Sequence, residues 1–242
     1  MKSQARLAGG LYLLILIAAP IVLIYLPRTL IVSGNAVATA ERLRASEGLF
    51  RVAIVSSLAV KVVWVFLVLS LGRLFRSVDE ARAREMVVLG ALIPVPVAVV
   101  NVLNEVAALV LVTAPPFLAP FPQRELDALA YFFLRLHGQG NAVLGVFWGL
   151  WLFPFGILVL RSGFVPRALG ALLMLAGSGY ILDSLTTLLL PSWAPVVGKG
   201  TMVLAFGAVP IIFWLLIRGV SERPEPEVAD DPIRAPADRE AG

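Results

Sequence analysis

The sequence predicts an all-α integral membrane protein, a polytopic bundle of six transmembrane helices with short interfacial helices in the outer loops. Of its 242 residues, 59% are hydrophobic and only 15% are charged. A soluble domain normally carries about a quarter charged residues. Six apolar segments are long enough to cross a bilayer, which takes about 20 residues. Composition and segment length therefore favour a multi-pass membrane protein over a soluble domain.

The predicted spans follow one another along most of the chain. They cover residues 7–26, 49–71, 86–113, 142–160, 168–190 and 196–217. The first apolar run is longer than the apolar region of a cleaved signal peptide, about 7 to 15 residues, so we expect it to remain as an anchor. Prolines inside the third, fourth and sixth spans predict kinks, because proline lacks the N–H of a helical hydrogen bond. They are Pro94, Pro96, Pro154 and Pro210.

Two outer loops contain patterns typical of amphipathic helices that lie along the membrane surface. Asn35 is a suitable N-cap for a short helix that runs to Ser46. In the third loop, residues 124–137 alternate apolar and charged side chains at helical spacing. That segment is predicted to turn into the fourth span through Gly138, Gln139 and Gly140.

The distribution of Lys and Arg favours an orientation with both termini in the cytoplasm. With the N-terminus inside, ten basic residues lie near inner helix ends and seven lie in outer segments. The same bias favours a location in a cytoplasmic (inner) membrane. Residues 1–220 form the predicted transmembrane domain, and residues 221–242 form an acidic cytoplasmic tail whose composition predicts disorder.

Several classes of chemistry are disfavoured by composition. The chain has no cysteine and one histidine, which excludes disulfides, thiolate zinc sites, iron–sulfur clusters and a cysteine nucleophile. No metal or other cofactor is predicted. Basic residues sit at helix ends without interleaved aromatics, so we expect membrane lipids as partners and no nucleic acid.

Three charged side chains lie deep inside predicted spans, where a charge costs several kcal/mol unless it is paired or faces a polar cavity. At about 1.5 Å of rise per residue, Lys61, Glu105 and Asp183 lie roughly 16, 12 and 10 Å from the outer ends of their helices. All three therefore fall in one layer in the outer half of the bundle.

Polar neighbours extend this layer into stripes on helix faces. Asn101 and Asn104 stand one turn before Glu105, and Tyr180 stands one turn before Asp183. His137, where a loop is expected to meet the fourth span, is a candidate gate. The predicted ligand-binding set is Lys61, Asn101, Asn104, Glu105, His137, Tyr180 and Asp183.

Two interpretations of this set stay open. In the first, the residues form a polar cavity for a small polar or lipidic ligand, with Lys61 paired to Glu105 and Asp183 paired to Lys199 or facing a cationic ligand. In the second, the protein is structural or regulatory and the buried charges only fix helix packing.

An intramembrane hydrolase is a remote third interpretation, and we predict no enzyme. Ser178 has no histidine on a later helix, and Asp183 is the single aspartate within a predicted span. Ser57 and Lys61, one turn apart, form the one serine–lysine pair of this type, but such a serine more often solvates the lysine. The glycines around Ser178, such as Gly170 and Gly177, instead predict a surface for close helix packing.

Three stretches of the chain are similar to a known family. They are Phe147-Trp148-Gly149-Leu150-Trp151-Leu152-Phe153-Pro154, Arg161-Ser162-Gly163-Phe164-Val165-Pro166-Arg167-Ala168-Leu169-Gly170 and Ala176-Gly177-Ser178-Gly179-Tyr180. With residues 5–12 and 47–51, they resemble the bacterial membrane family called domain of unknown function 4386. The resemblance implies a six-helix inner-membrane protein with no established activity and no catalytic residue to carry over.

Overall fold

A computed structural model describes residues 2–219 of the chain, and within that range all regular structure is helical. Six helices are long and apolar enough to cross a membrane, which confirms the predicted fold class. They are Lys2–Leu30, Glu47–Phe75, Glu80–Thr113, Gln123–Ser162, Arg167–Leu189 and Ala194–Ile217, here the first to sixth spans. The predicted acidic tail lies outside the described residues.

Each span packs against its neighbours in sequence, and the sixth span returns to pack against the first. The bundle is therefore a closed ring in which the first and sixth spans also contact each other. One core cluster joins the first, second and fourth spans through Tyr12, Trp64 and Trp151, with the Trp64 and Trp151 rings 5.2 Å apart. A second cluster, towards the other end, includes Leu43, Phe50 and Leu134.

Prolines account for the irregular turns in the spans. The carbonyl oxygen four residues before a proline lacks its usual N–H donor, because proline has no N–H. The turn there can therefore widen to a π-helix or tighten to a 3-10 helix. π-Helical turns at Ile21–Tyr25 and Val88–Leu92 precede Pro27 and Pro94. A 3-10 turn at Phe206–Ala208 precedes Pro210. Because of Pro94, the Gly90 carbonyl oxygen lacks its helical donor. Trp64 Nε1 of the second span donates to it at 2.7 Å and so satisfies it.

The helix predicted in the first loop is present, over Ala36–Ala45. Asn35 Oδ1 accepts from the Ala38 amide at 2.9 Å, which confirms the N-cap. Its placement along the membrane surface stays a prediction. Arg44 fixes the helix to the start of the fourth span, because its guanidinium donates to both carboxylate oxygens of Asp127, at 2.7 and 3.3 Å. This hydrogen bond raises the pKa of Arg44 above its ordinary value.

The predicted turn before the fourth span is wrong, because the helix runs unbroken from Gln123 to Leu150. A glycine inside a helix costs only about 1 kcal/mol relative to alanine, which a packed helix can absorb. Gly140 provides close approach rather than a turn, since a Cβ there would overlap the side-chain amide of Asn101 on the third span. Leu152–Ser162 then continues the same span past a turn at Trp151, three residues before Pro154 in the next helix.

The fourth and fifth spans cross with their backbones almost in contact, which confirms the predicted packing role of the glycines. A Cβ on Gly177 would lie 2.7 Å from the carbonyl oxygen of Gly149. A Cβ on Gly170 would lie 2.7 Å from the carbonyl oxygen of Gly156. Small residues of this kind let membrane helices associate through van der Waals contact where no hydrophobic driving force acts between them.

Candidate functional site

Lys61 does not form the predicted ion pair with Glu105. Its ammonium donates to the carbonyl oxygen of Ser57 at 3.2 Å and to Ser57 Oγ at 2.8 Å, one turn earlier on the same helix. Among the described residues no carboxylate lies within 4.0 Å of it. Lys61 is half-buried, and these two local acceptors replace part of its hydration. The serine solvates the lysine, as its spacing suggested.

The third and fourth spans are instead connected by a network of amide and imidazole groups. Asn101 Nδ2 donates across the interface to the His137 carbonyl oxygen at 3.0 Å and to Asn141 Oδ1 at 3.2 Å. Asn104 Nδ2 donates to Asn101 Oδ1 at 3.0 Å, within the third span. The ring of His137 closes the network, with Nδ1 3.0 Å from the Asn101 carbonyl oxygen and Nε2 3.1 Å from Asn141 Nδ2.

Two main-chain carbonyls fix the direction of every bond in this network. The His137 carbonyl only accepts, so the Asn101 atom facing it is the amide nitrogen. That nitrogen also faces Asn141, which must present its oxygen and therefore turns its own nitrogen towards His137 Nε2. The Asn101 carbonyl likewise requires a proton on His137 Nδ1. His137 is thus the Nδ1–H tautomer, and its Nε2 is an acceptor.

Glu105 lies beside this network without taking part in it. Its Oε1 is 3.8 Å from His137 Nε2, too long for a hydrogen bond, and that nitrogen has no proton to donate. Its Oε2 is buried and has no hydrogen-bond partner among the described residues. A buried carboxylate oxygen without a donor costs about 1–3 kcal/mol or more. Within the described residues, the Glu105 carboxylate therefore forms no hydrogen bond with the network beside it.

A cavity of about 150 Å³ lies against this carboxylate. Glu105, His137, Asn141 and Ser57 form its polar wall. Apolar residues form the rest: Val22, Leu23, Leu26, Pro27, Leu30, Ile31, Leu43, Phe50, Ala53 and Leu134, with Gly138 beside them. Leu23 is 43% exposed, so this lining residue also contributes to the surface of the bundle. An engineered cavity of about 150 Å³ in another protein holds benzene, so this one fits a small head group or the end of a chain.

Tyr180 and Asp183 lie apart from this cavity. Asp183 Oδ1 accepts from Thr201 Oγ1 of the sixth span at 3.0 Å. Lys199 is exposed, and no ion pair within 4.0 Å joins it to Asp183 in the described structure. Tyr180 packs against the core cluster of Tyr12 and Trp151. The predicted polar layer is therefore divided, because the fifth span packs between the fourth and sixth spans.

Asn141 and Ser57 belong to the site but were outside the predicted set. Asn141 carried a usable signal, because it stands one turn after His137 on a helix. Ser178 stays outside, exposed and donating to the Met174 carbonyl at 3.1 Å. Within residues 2–219, no three His, Asp or Glu side chains group closely enough to hold a metal ion.

The fold and the network define a multi-pass helical membrane protein with a polar site between its third and fourth spans. The chain belongs to the family described as Domain of unknown function (DUF4386), whose model matches residues 7–219. This match confirms the resemblance drawn from the sequence motifs.

One relative adds a partial likeness. An uncharacterized protein of Archaeoglobus fulgidus is 43% identical over 74 residues, which cover 31% of this chain and 43% of that protein. The chain thus matches less than half the length of this relative. No solved structure matches the chain.

Proposed function

We propose that this protein is a non-enzymatic membrane protein that binds a small amphipathic ligand in the cavity beside Glu105. The observation that carries the proposal is the Glu105 side chain, which lines a mostly apolar cavity while its carboxylate forms no hydrogen bond with any described residue. Binding sites for small molecules commonly combine an apolar lining with a few placed polar groups. The apolar part of the ligand would contact the first and second spans, and its polar end would face the third and fourth.

The location of the protein is part of this proposal. The excess of Lys and Arg near one set of helix ends supports an orientation with both termini in the cytoplasm. The cavity then opens in the outer half of a cytoplasmic membrane, where lipids or other amphiphiles reach it from the bilayer. Membrane lipids are accordingly the expected partners.

Blocking the cavity without disturbing the helices tests the proposal. A Cβ on Gly138 would meet no atom within 4 Å, and Gly138 lies at the cavity wall. Gly138→Phe therefore fills space that a ligand would occupy, and it replaces a poor helix former. Gly10→Phe is the matched control, because Gly10 also has open space around it but lies outside the cavity lining.

The measurement is native mass spectrometry of the protein in phosphatidylcholine nanodiscs. Dodecylamine, dodecanol and dodecanoic acid are added separately as twelve-carbon probes. We expect the wild type and the control variant Gly10→Phe to retain at least one probe. Gly138→Phe should retain that probe at least tenfold less, a loss of about 1.4 kcal/mol in binding free energy. Retention of no probe by the wild type, or equal retention by Gly138→Phe, contradicts the proposal.

A structural role is the second candidate, favoured by the fully used hydrogen bonds of Asn101 and His137 between two spans. In that case the double variant Lys61→Met, Glu105→Leu should fold with unchanged or higher thermal stability, because apolar replacement of buried charges is often neutral or stabilising. Its probe retention should also equal that of the wild type. Loss of retention at unchanged melting temperature would reject the structural role.

A further inference from the structure

We infer that the ligand of this cavity carries a protonated amine, so that its head group donates hydrogen bonds to Glu105. This inference rests on the proposed function and names the chemical class of its ligand. It depends on which donors and acceptors the cavity wall still has available once the bonds within the protein are counted.

The N–H groups of Asn101 and His137, beside Glu105, already donate to other acceptors. Both hydrogens of the Asn101 amide are taken by the fourth span, at 3.0 and 3.2 Å. The single ring proton of His137 lies on Nδ1 and is donated to the Asn101 carbonyl. Its Nε2 is occupied as an acceptor by Asn141. The network therefore turns no ring proton towards Glu105, although the two side chains are neighbours.

Lys61 does not compensate for this. It is the cation that the sequence predicted to pair with Glu105. Its ammonium instead donates to Ser57 Oγ at 2.8 Å and to the Ser57 carbonyl oxygen at 3.2 Å. Ser57 and Glu105 line the cavity, whereas Lys61 is absent from the cavity wall. A ligand in the cavity would thus contact the Glu105 and Ser57 side chains, whereas Lys61 is not part of the lining.

The complementary group is a donor with positive charge. A carboxylate accepts hydrogen bonds and donates none, so an alcohol would satisfy one lone pair, whereas an ammonium supplies up to three donors and an opposite charge. Charge-assisted hydrogen bonds are roughly twice as strong as neutral ones. A carboxylate or phosphate head would place like charges together and is disfavoured. The apolar lining adds the requirement for an attached hydrocarbon segment.

The test compares the three twelve-carbon probes on the full-length protein in nanodiscs at pH 7, where an alkylamine with a pKa near that of lysine, about 10.4, is protonated. We expect dodecylamine to be retained at least about tenfold better than dodecanol, and dodecanoic acid least. Glu105→Gln should remove the preference for the amine while dodecanol retention stays within about twofold. Asp183→Asn is the matched control, because Asp183 is a carboxylate within a span that lies outside the cavity and bonds Thr201.

Lys61→Met separates the two ways in which Glu105 could be satisfied. If Glu105 awaits an external amine, loss of the lysine leaves dodecylamine retention unchanged or raised. A fall in retention of tenfold or more would show that Lys61 contributes to the site and would overturn the inference.

The outcomes also separate this inference from the proposed function. If dodecanol or dodecanoic acid is retained as well as the amine and Gly138→Phe displaces it, the cavity binds ligands but the amine inference is wrong. If no probe is retained by the wild type, the proposed function fails as well. If Glu105→Gln keeps the wild-type preference for the amine, the preference arises elsewhere and the inference is wrong.

Discussion

Gly177→Ala should destabilise the bundle by about 3 kcal/mol, one of the two largest effects we expect. The added Cβ would lie 2.7 Å from the carbonyl oxygen of Gly149 and 3.2 Å from Leu152 Cβ. A backbone carbonyl cannot rotate away as a side chain does, so the fourth and fifth spans must separate. Overpacking of a tight interface typically costs about 1–3 kcal/mol, and here the contact is with main chain.

Thermal unfolding followed by intrinsic tryptophan fluorescence measures this loss in detergent or nanodiscs. Gly200→Ala is the matched control, because a Cβ on Gly200 of the sixth span would meet nothing within 4 Å. That variant should be as stable as the wild type or slightly more so, since alanine is the better helix former. Equal melting temperatures for Gly177→Ala and the wild type would show that the two backbones are farther apart than described here.

Asn101→Leu should lower the free energy of unfolding by about 2–4 kcal/mol, because it removes the side chain to which the other members of the polar network are bonded. The variant loses two donated bonds to the fourth span and leaves Asn141 Oδ1 without its donor. Asn104 Nδ2 keeps only the main-chain carbonyl of residue 101 as an acceptor. Interhelical hydrogen bonds in membranes contribute on average about 0.6 kcal/mol each, so the greater part of the cost comes from groups left buried and unpaired.

Asn104→Leu provides the comparison for this prediction. Asn104 donates only within its own span, to the carbonyl and side-chain oxygens of Asn101 at 3.2 and 3.0 Å. Its replacement should therefore cost less than half as much, measured by the same fluorescence unfolding. If the two variants lose equal stability, the contacts between the third and fourth spans do not carry the network.

The sequence predicted the positions of the helices better than it predicted which helices contact one another. Hydrophobic length is a local property, so all six spans were found, and the Asn35 cap was found from residue type and position. The stripe of Asn101, Asn104 and Glu105 was also found, because helical spacing determines which residues share a face. Spacing does not tell which other helix that face meets.

The errors at the site have this origin. Equal depth suggested that Lys61, Glu105 and Asp183 share one layer, but depth is one coordinate of three. Asp183 faces the sixth span and Lys61 turns to Ser57 on its own helix. The role of Gly140 could not be read from the chain either. Its close approach to Asn101 depends on the crossing of two helices, while the local pattern of two glycines predicted a turn.

The closed order of the bundle has a consequence for its synthesis. Each helix can meet the preceding one as it enters the membrane, so assembly from the N-terminus needs no long search. The last contact is the exception, because Gly9 of the first helix lies against the main chain of Leu216 near the end of the sixth. A newly made chain must therefore keep that small-residue groove open to lipid until the final helix has been inserted. We expect premature termination before Ala194 to yield a five-helix product that is captured by quality-control proteases.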